Sequence, residues 1–335
     1  MNEKIDFVML WVDNNDKKWQ KDKAKYDPNI RDNGVNGNIR YRDWGNLKYW
    51  FRGVEEYAPW VNKIYFITCG HLPKWLNTNN PKLKIIKHSD YIPSKFLPTF
   101  SSHPIELNLH RISELSEHFV LFNDDIFLIN NVKKEDFFKN GLPRDNYNEV
   151  NMDFSNEDKV FTCIVKNNYK TIGKHYNKLK TILSSPAKYI NIRYGIKKNL
   201  QTIKNTVMYK EFVGINNNHI AQPYLKSYFN KVWNEEKKLM ESTSNNKFRN
   251  KDDVNVWLIR YFQLMDKNFI PRNFKLGKFF CISQNNENII STIKNKKYKM
   301  ICINDSDKNI DFEKCKLEIN TALEKKLPKK CSFEK

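Results

Sequence analysis

A few short stretches carry side chains whose type and spacing could do chemistry. Asn123-Asp124-Asp125 follows directly on the apolar run Phe119-Val120-Leu121-Phe122. Adjacent carboxylates at a strand end repel each other without a cation. Such oxygen donors suit Mg2+ or Mn2+, which keep waters and bridge substrate phosphates. A solvated acidic turn is the other reading, because aspartate is common in turns. Asn304-Asp305 repeats the design after a second apolar run. The two ends could converge on one metal held by Asp124, Asp125 and Asp305. Upstream of the first pair, His103, Glu106 and His110 recur at i, i+3 and i+7, with Arg111 beside them. On a helix these form one stripe, able to orient a general base or to lie as an ordinary exposed face. Asp13, after the first apolar run, is a further strand-end acid, placed to meet a nucleotide or to cap a turn.

These groups need elements to position them. Phe119–Phe122 is too short to span a membrane and reads as a buried parallel strand. Ile105, Leu109 and Ile112 mark the buried stripe of an amphipathic helix before it. Residues 5–12, 63–69 and 83–87 read as further strands. Trp44, Leu47, Phe51, Val54 and Ala58 predict a helix that Arg42-Asp43 opens and Pro59 ends. Arg42 there could hold a phosphate, or simply solvate the helix end. The alternation predicts an α/β fold with a Rossmann-like, mostly parallel sheet, whose ligands sit off the carboxyl ends of the strands. No P-loop and no glycine-rich dinucleotide pattern occurs, which disfavours NTPases and dehydrogenases of those types. Residues 20–42, with Asn33-Gly34 and Asn36-Gly37, read as a mobile loop over substrate. Residues 1–130 and 270–335 form the expected core, and 131–269 an inserted or appended, mainly helical basic lobe. Within these segments the expected strands are 160–165, 278–282 and 299–303, and the expected helices 223–240, 252–265 and 311–327.

The formal charge of +20 favours an anionic partner: phosphorylated polymer, nucleotide, acidic lipid surface or nucleic acid. Residues 169–210 contain no acid at all and form the most basic tract. Nucleic acid is disfavoured, since no RNP, KH or zinc-finger pattern is present. The six cysteines form no CxxC pair, so they suggest reduced thiols in a cytoplasmic protein. The apolar run near the start is too short for a signal peptide and contains acids. With no run of about 18 apolar residues, membrane association would have to be peripheral, at the inner face.

The segment LPTFSSHPIELNLHRISELSEHFVLFNDDIFL (97–128) resembles the second conserved block of the Stealth family. These are bacterial capsule and exopolysaccharide phosphotransferases, related to the animal lysosomal-enzyme N-acetylglucosamine-1-phosphotransferase. IDFVMLWVDNNDKKW (5–19) resembles the family's opening block, HIAQPYLKSYFNKVW and KFRNKDDVNVWLIRYFQL its third, and CINDS with the tail LPKKCSFEK its fourth. The blocks come in order and cover most of the chain. The resemblance implies a single catalytic domain over 1–335 with a nucleotide-sugar-transferase-like fold. It implies transfer of sugar 1-phosphate from a nucleotide-diphosphate sugar to a hydroxyl of a growing, anionic polysaccharide, with release of nucleoside monophosphate.

It also matches Arg42, Asp43 and Leu47 to the start of the second block, and His219, Arg249 and Asp253 to the third. On that reading Asp124, Asp125 and Asp305 hold the metal, and Arg42, Arg111 and Arg249 stabilise phosphoryl oxygens. His110 or His219 takes the acceptor proton, and Glu106 or Asp253 orients it. Asp13, Asp43 and Asn123 complete the substrate contacts. Two rival readings remain: a metal-dependent glycosyltransferase releasing nucleoside diphosphate, and a non-catalytic binder of anionic polymer.

Overall fold

The computed structural model describes residues 3–26, 37, 41–155, 159–305 and 310–335. The strands among the described residues are, in chain order, β1 (Ile5–Leu10), β2 (Ile64–Thr68), β3 (Leu83–Lys87), β4 (His118–Phe122), β5 (Ile126–Leu128), β6 (Phe138–Lys139), β7 (Leu142–Asp145), β8 (Gln222–Leu225), β9 (Ile270–Pro271), β10 (Gly277–Cys281) and β11 (Met300–Asn304). The central sheet has the order β3-β2-β1-β4-β8. Its first four strands are parallel, and β8 pairs antiparallel with β4. The expected α/β fold with a mostly parallel sheet is present.

β1 reads IDFVML, and all but its last residue are buried, as a strand covered on both faces requires. Its charged member, Asp6, is fully buried yet satisfied. Asn62 Nδ2 and the Lys63 and Ser116 N–H groups donate to it at 2.7, 3.1 and 2.8 Å. From β1 the chain winds outward through β2 and β3, then returns on the other side as β4. The carboxyl ends of β1 and β4 therefore flank a topological switch point, where open α/β sheets bind ligands.

A second sheet, β10-β11-β5, lies beyond that point. Three residues separate β4 from β5, which runs antiparallel to β11 with Cys302 opposite Ile126. The helix Leu47–Tyr57 packs on β5. Gly53 is required there, because a Cβ would lie 2.7 Å from the Leu128 carbonyl oxygen. From the same helix, buried Arg52 bonds to Glu334, Glu324 and the Leu327 carbonyl, tying down the C-terminal tail.

Several local expectations change. The Leu47–Tyr57 helix starts after Asn46, not at Arg42. Residues 160–165 open the helix Val160–His175 instead of forming a strand. The helix expected over 223–240 begins as β8, and helices Lys226–Glu235 and Lys237–Asn245 follow it. Pro223 cannot donate to a ladder, and it is accommodated because β8 is an edge strand. The last helix before β9 is Trp257–Met265, starting later than 252. Segment 131–269 is mainly helical but not separate, since its β8 extends the central sheet. The loop expected over 20–42 begins inside the helix Lys17–Tyr26. Asn33, Gly34 and Asn36 lie outside the described residues.

Candidate active site

A cleft of about 1070 Å³ opens off the carboxyl ends of β1 and β4, lined among others by Trp11, Asn123, Asp124, Asp125, His219 and Arg249. The acidic turn on its wall is held from two sides. The Asn123 carbonyl accepts the Ile126 N–H at 3.1 Å, and the Asp125 carbonyl accepts the Ile303 N–H at 2.8 Å. Asp124 is exposed but lies in the cleft, with protein crowding around it. Loss of bulk water, then the charge of Asp125, pushes its pKa up to about 7.

Asp125 is half-buried. Its Oδ2 accepts the Cys302 thiol at 3.2 Å and lies 3.6 Å from His219 Nε2. Its Oδ1 is buried with no hydrogen-bond partner. The ligating atoms of Asp125, His219 and Cys302 lie within 4.8 Å of one another. An orphaned carboxylate oxygen, beside a second carboxylate that resists ionisation, is an arrangement a divalent cation would relieve. Asp124 and Asp125 offer oxygen donors of the kind Mg2+ or Mn2+ takes, with a nitrogen of His219 and the sulfur of Cys302 beside them.

His219 sits in the loop before β8 with φ of 45°, its N–H donating to Asn217 Oδ1 at 2.9 Å. Trp257 and Phe279 meet its ring edge-on. Burial lowers its affinity for a proton, but the carboxylate of Asp125 beside it, helped by Glu106, outweighs that. The net pKa lies above the ordinary histidine value. Glu106 is buried, and desolvation lifts its pKa to about 7 against the opposing charge of Arg249. Arg249 Nη2 donates to Ser102 Oγ at 3.2 Å, beside this group. Asp253, fully buried, takes a different partner from the one expected. Its Oδ2 lies 3.3 Å from His103 Nδ1, and Asn246 Nδ2 donates to its Oδ1 at 2.6 Å.

Other expected residues lie elsewhere. The helix carrying Glu106 runs only from Ser102 to Leu107, and a 3-10 turn, Leu109–Arg111, follows. That tightening rotates i+7 off the stripe. His110 therefore leaves the cleft and packs against Phe229 and Trp233. Burial, with the charge of Arg111 second, drops its pKa to about 4. Arg111 stacks on Trp233 and donates to Asn108 Oδ1 at 2.9 Å, so it too points away from the cleft.

Asp305 does not join the Asp125 cluster. Arg42 donates to both its oxygens, at 3.0 and 2.7 Å, and Trp44 Nε1 adds a bond of 3.1 Å. The carboxylate of Asp13 caps its own turn, accepting the Asn15 N–H at 2.8 Å, while its N–H donates to His71 Nε2 at 2.7 Å. Asp43 is exposed and accepts the Gly45 N–H at 2.8 Å. Asn123 does line the cleft. Cys302 escaped notice in the sequence. Its place at the head of CINDS, and in a strand two residues before Asn304, gave the signal, since side chains at i and i+2 share one face.

The sequence profile of conserved region 2 of Stealth proteins matches residues 40–145. A capsular polysaccharide phosphotransferase, WcwK of Streptococcus pneumoniae, is 47% identical over 99% of this chain and 98% of its own length. The receptor polysaccharide phosphotransferase WefC of Streptococcus gordonii is 40% identical over the whole of both chains. The exopolysaccharide phosphotransferase cps2G of Lactiplantibacillus plantarum is 39% identical over 99% of this chain and 96% of its own.

Proposed function

This chain belongs to the Stealth family of polysaccharide phosphotransferases, and on that premise we propose that it moves a sugar 1-phosphate from a nucleotide-diphosphate sugar to a hydroxyl of a growing capsule or cell-surface polysaccharide. The observation that carries this reading is the pairing of Asp125 with His219 beside Asp124, on the wall of a cleft at the switch point of the sheet. Glu106 and Arg249 meet the same group.

The acceptor oxygen attacks the β-phosphorus and gives its proton to His219. Asp125, 3.6 Å from Nε2, stabilises the imidazolium that forms. The bond from the β-phosphorus to the bridging oxygen breaks, and its electron pair leaves with nucleoside monophosphate. Arg249, which faces the charge of buried Glu106, offsets charge on the transferred phosphoryl oxygens. Mg2+ or Mn2+ bound by Asp124 and Asp125 would supply further positive charge to the pyrophosphate. The polymer product is a phosphodiester and hence anionic, which the basic surface suits. The six cysteines are thiols, not disulfides, which supports a cytoplasmic setting.

In the metal-free chain the pKa of His219 lies above the ordinary histidine value, and turnover that needs its neutral form should lose its acidic limb in His219→Gln. A panel of nucleotide-diphosphate sugars, offered with acceptor polymer, tests the reaction. Release of nucleoside monophosphate from one of them supports the proposal. Release of nucleoside diphosphate would make the chain a glycosyltransferase.

A further inference from the structure

The helix Ile196–Met208 is built inside out. At about 100° per residue, Ile196, Leu200, Ile203 and Val207 fall within an arc of about 60°. All four are exposed, Ile196 by 79% and Val207 by 81%. The opposite face is polar and buried, and it docks on Glu149. Thr202 Oγ1 accepts the Glu149 N–H at 3.1 Å, Asn205 Nδ2 donates to the Glu149 carbonyl at 2.9 Å, and the Thr206 hydroxyl donates to Oε2 at 3.4 Å. The Glu149 carboxylate is itself held by buried Lys178 at 3.0 Å. The polar contacts fix which face points outward, so the apolar stripe is not a misplaced core.

The stripe has company. Ile192, on the turn before the helix, is 91% exposed. Eight of the thirteen large exposed hydrophobic residues among the described residues lie between 179 and 208. Lys197 and Lys204 flank the stripe on one side, and Lys170, Lys174, Lys180 and Lys210 are exposed in the same tract. No carboxylate interrupts residues 169–210. An apolar stripe edged by lysines has the pattern of a helix that lies in a membrane interface.

We propose that the helix Ile196–Met208 docks this protein on an anionic lipid bilayer, its apolar stripe in the acyl boundary and its lysines on the headgroups. The choice of a lipid surface rests on charge complementarity: a tract this cationic, with no acid, repels a second copy of itself. Lys198, on the protein-facing side of the same helix, lines the cleft, so the docking helix borders the cleft that holds the proposed catalytic groups.

Sedimentation of the full chain with vesicles tests this. Wild type should bind vesicles of phosphatidylcholine with phosphatidylglycerol, and lose binding in high salt or on phosphatidylcholine alone. The triple variant Leu200→Gln/Ile203→Gln/Val207→Gln should bind at least about tenfold more weakly and fold normally, because those side chains face outward. Lys197→Glu/Lys204→Glu should weaken binding to anionic vesicles and flatten its salt dependence. Wild type that ignores anionic vesicles, or a triple variant that binds like wild type, overturns the proposal. Concentration-dependent dimerisation abolished by the triple variant, without vesicle binding, would also overturn it and assign the stripe to a second copy of the chain.

Discussion

Asn123-Asp124-Asp125 after β4 and Asn304-Asp305 at the end of β11 share one local design, an apolar strand tipped with asparagine and aspartate. Their surroundings separate them. At the first end two carboxylates crowd together, one with a raised pKa and the other with an orphaned oxygen, and His219 faces them. At the second, Arg42 and Trp44 already occupy the Asp305 oxygens. A strand-end acid is available for chemistry when no resident cation neutralises it, and that depends on residues distant in sequence. On this account Asp125 does chemistry, whereas Asp305 positions Arg42 and the segment leading to the Leu47–Tyr57 helix.

Substitution at the two ends should therefore give unequal losses. Asp125→Asn should lower turnover by roughly 10²-fold or more with the fold intact, and His219→Gln by a similar factor. Asp305→Asn should lower it by roughly tenfold or less, through lost positioning of Arg42. Steady-state kinetics with an unfolding midpoint for each variant decide this. Equal losses at Asp125 and Asp305 would erase the distinction.

Stability should separate the ends by sign. The pKa of Asp124 is raised in the folded chain, so the unfolded chain ionises first and folding weakens as pH rises from about 4 through 7. In chelator, Asp124→Asn should raise the unfolding midpoint at pH 8 and leave it unchanged at pH 4. Asp305→Asn removes a bidentate, partly buried partner of Arg42 and should cost about 1 kcal/mol at neutral pH. A destabilised Asp124→Asn at pH 8 would contradict the crowding at the first end. The smallest effect belongs to His110→Phe, which should leave turnover within about twofold, since that ring packs between Phe229 and Trp233 away from the cleft.

Legibility in the sequence followed the range of the interaction concerned. β1, β4 and the acidic turn could be read because an apolar run and its terminal acids are adjacent in the chain. The Glu106 stripe was half legible. Its period was right, but the switch to a 3-10 turn after Leu107 carried His110 and Arg111 off the face. β8 was hidden inside a helical pattern, because Pro223 reads as a helix start unless the edge position beside β4 is known. The pair of Arg42 with Asp305 spans 263 residues, and that of Asp125 with Cys302 spans 177. No local pattern reports such pairings.

The measurement that bears most directly on the account is the fate of the donor's β-phosphate. With that phosphate radiolabelled, wild type should pass the label into polymer and release unlabelled nucleoside monophosphate in equal amount, and Asp125→Asn should do so at least about a hundredfold more slowly. Label retained in nucleoside diphosphate, while sugar enters the polymer, would contradict attack at phosphorus.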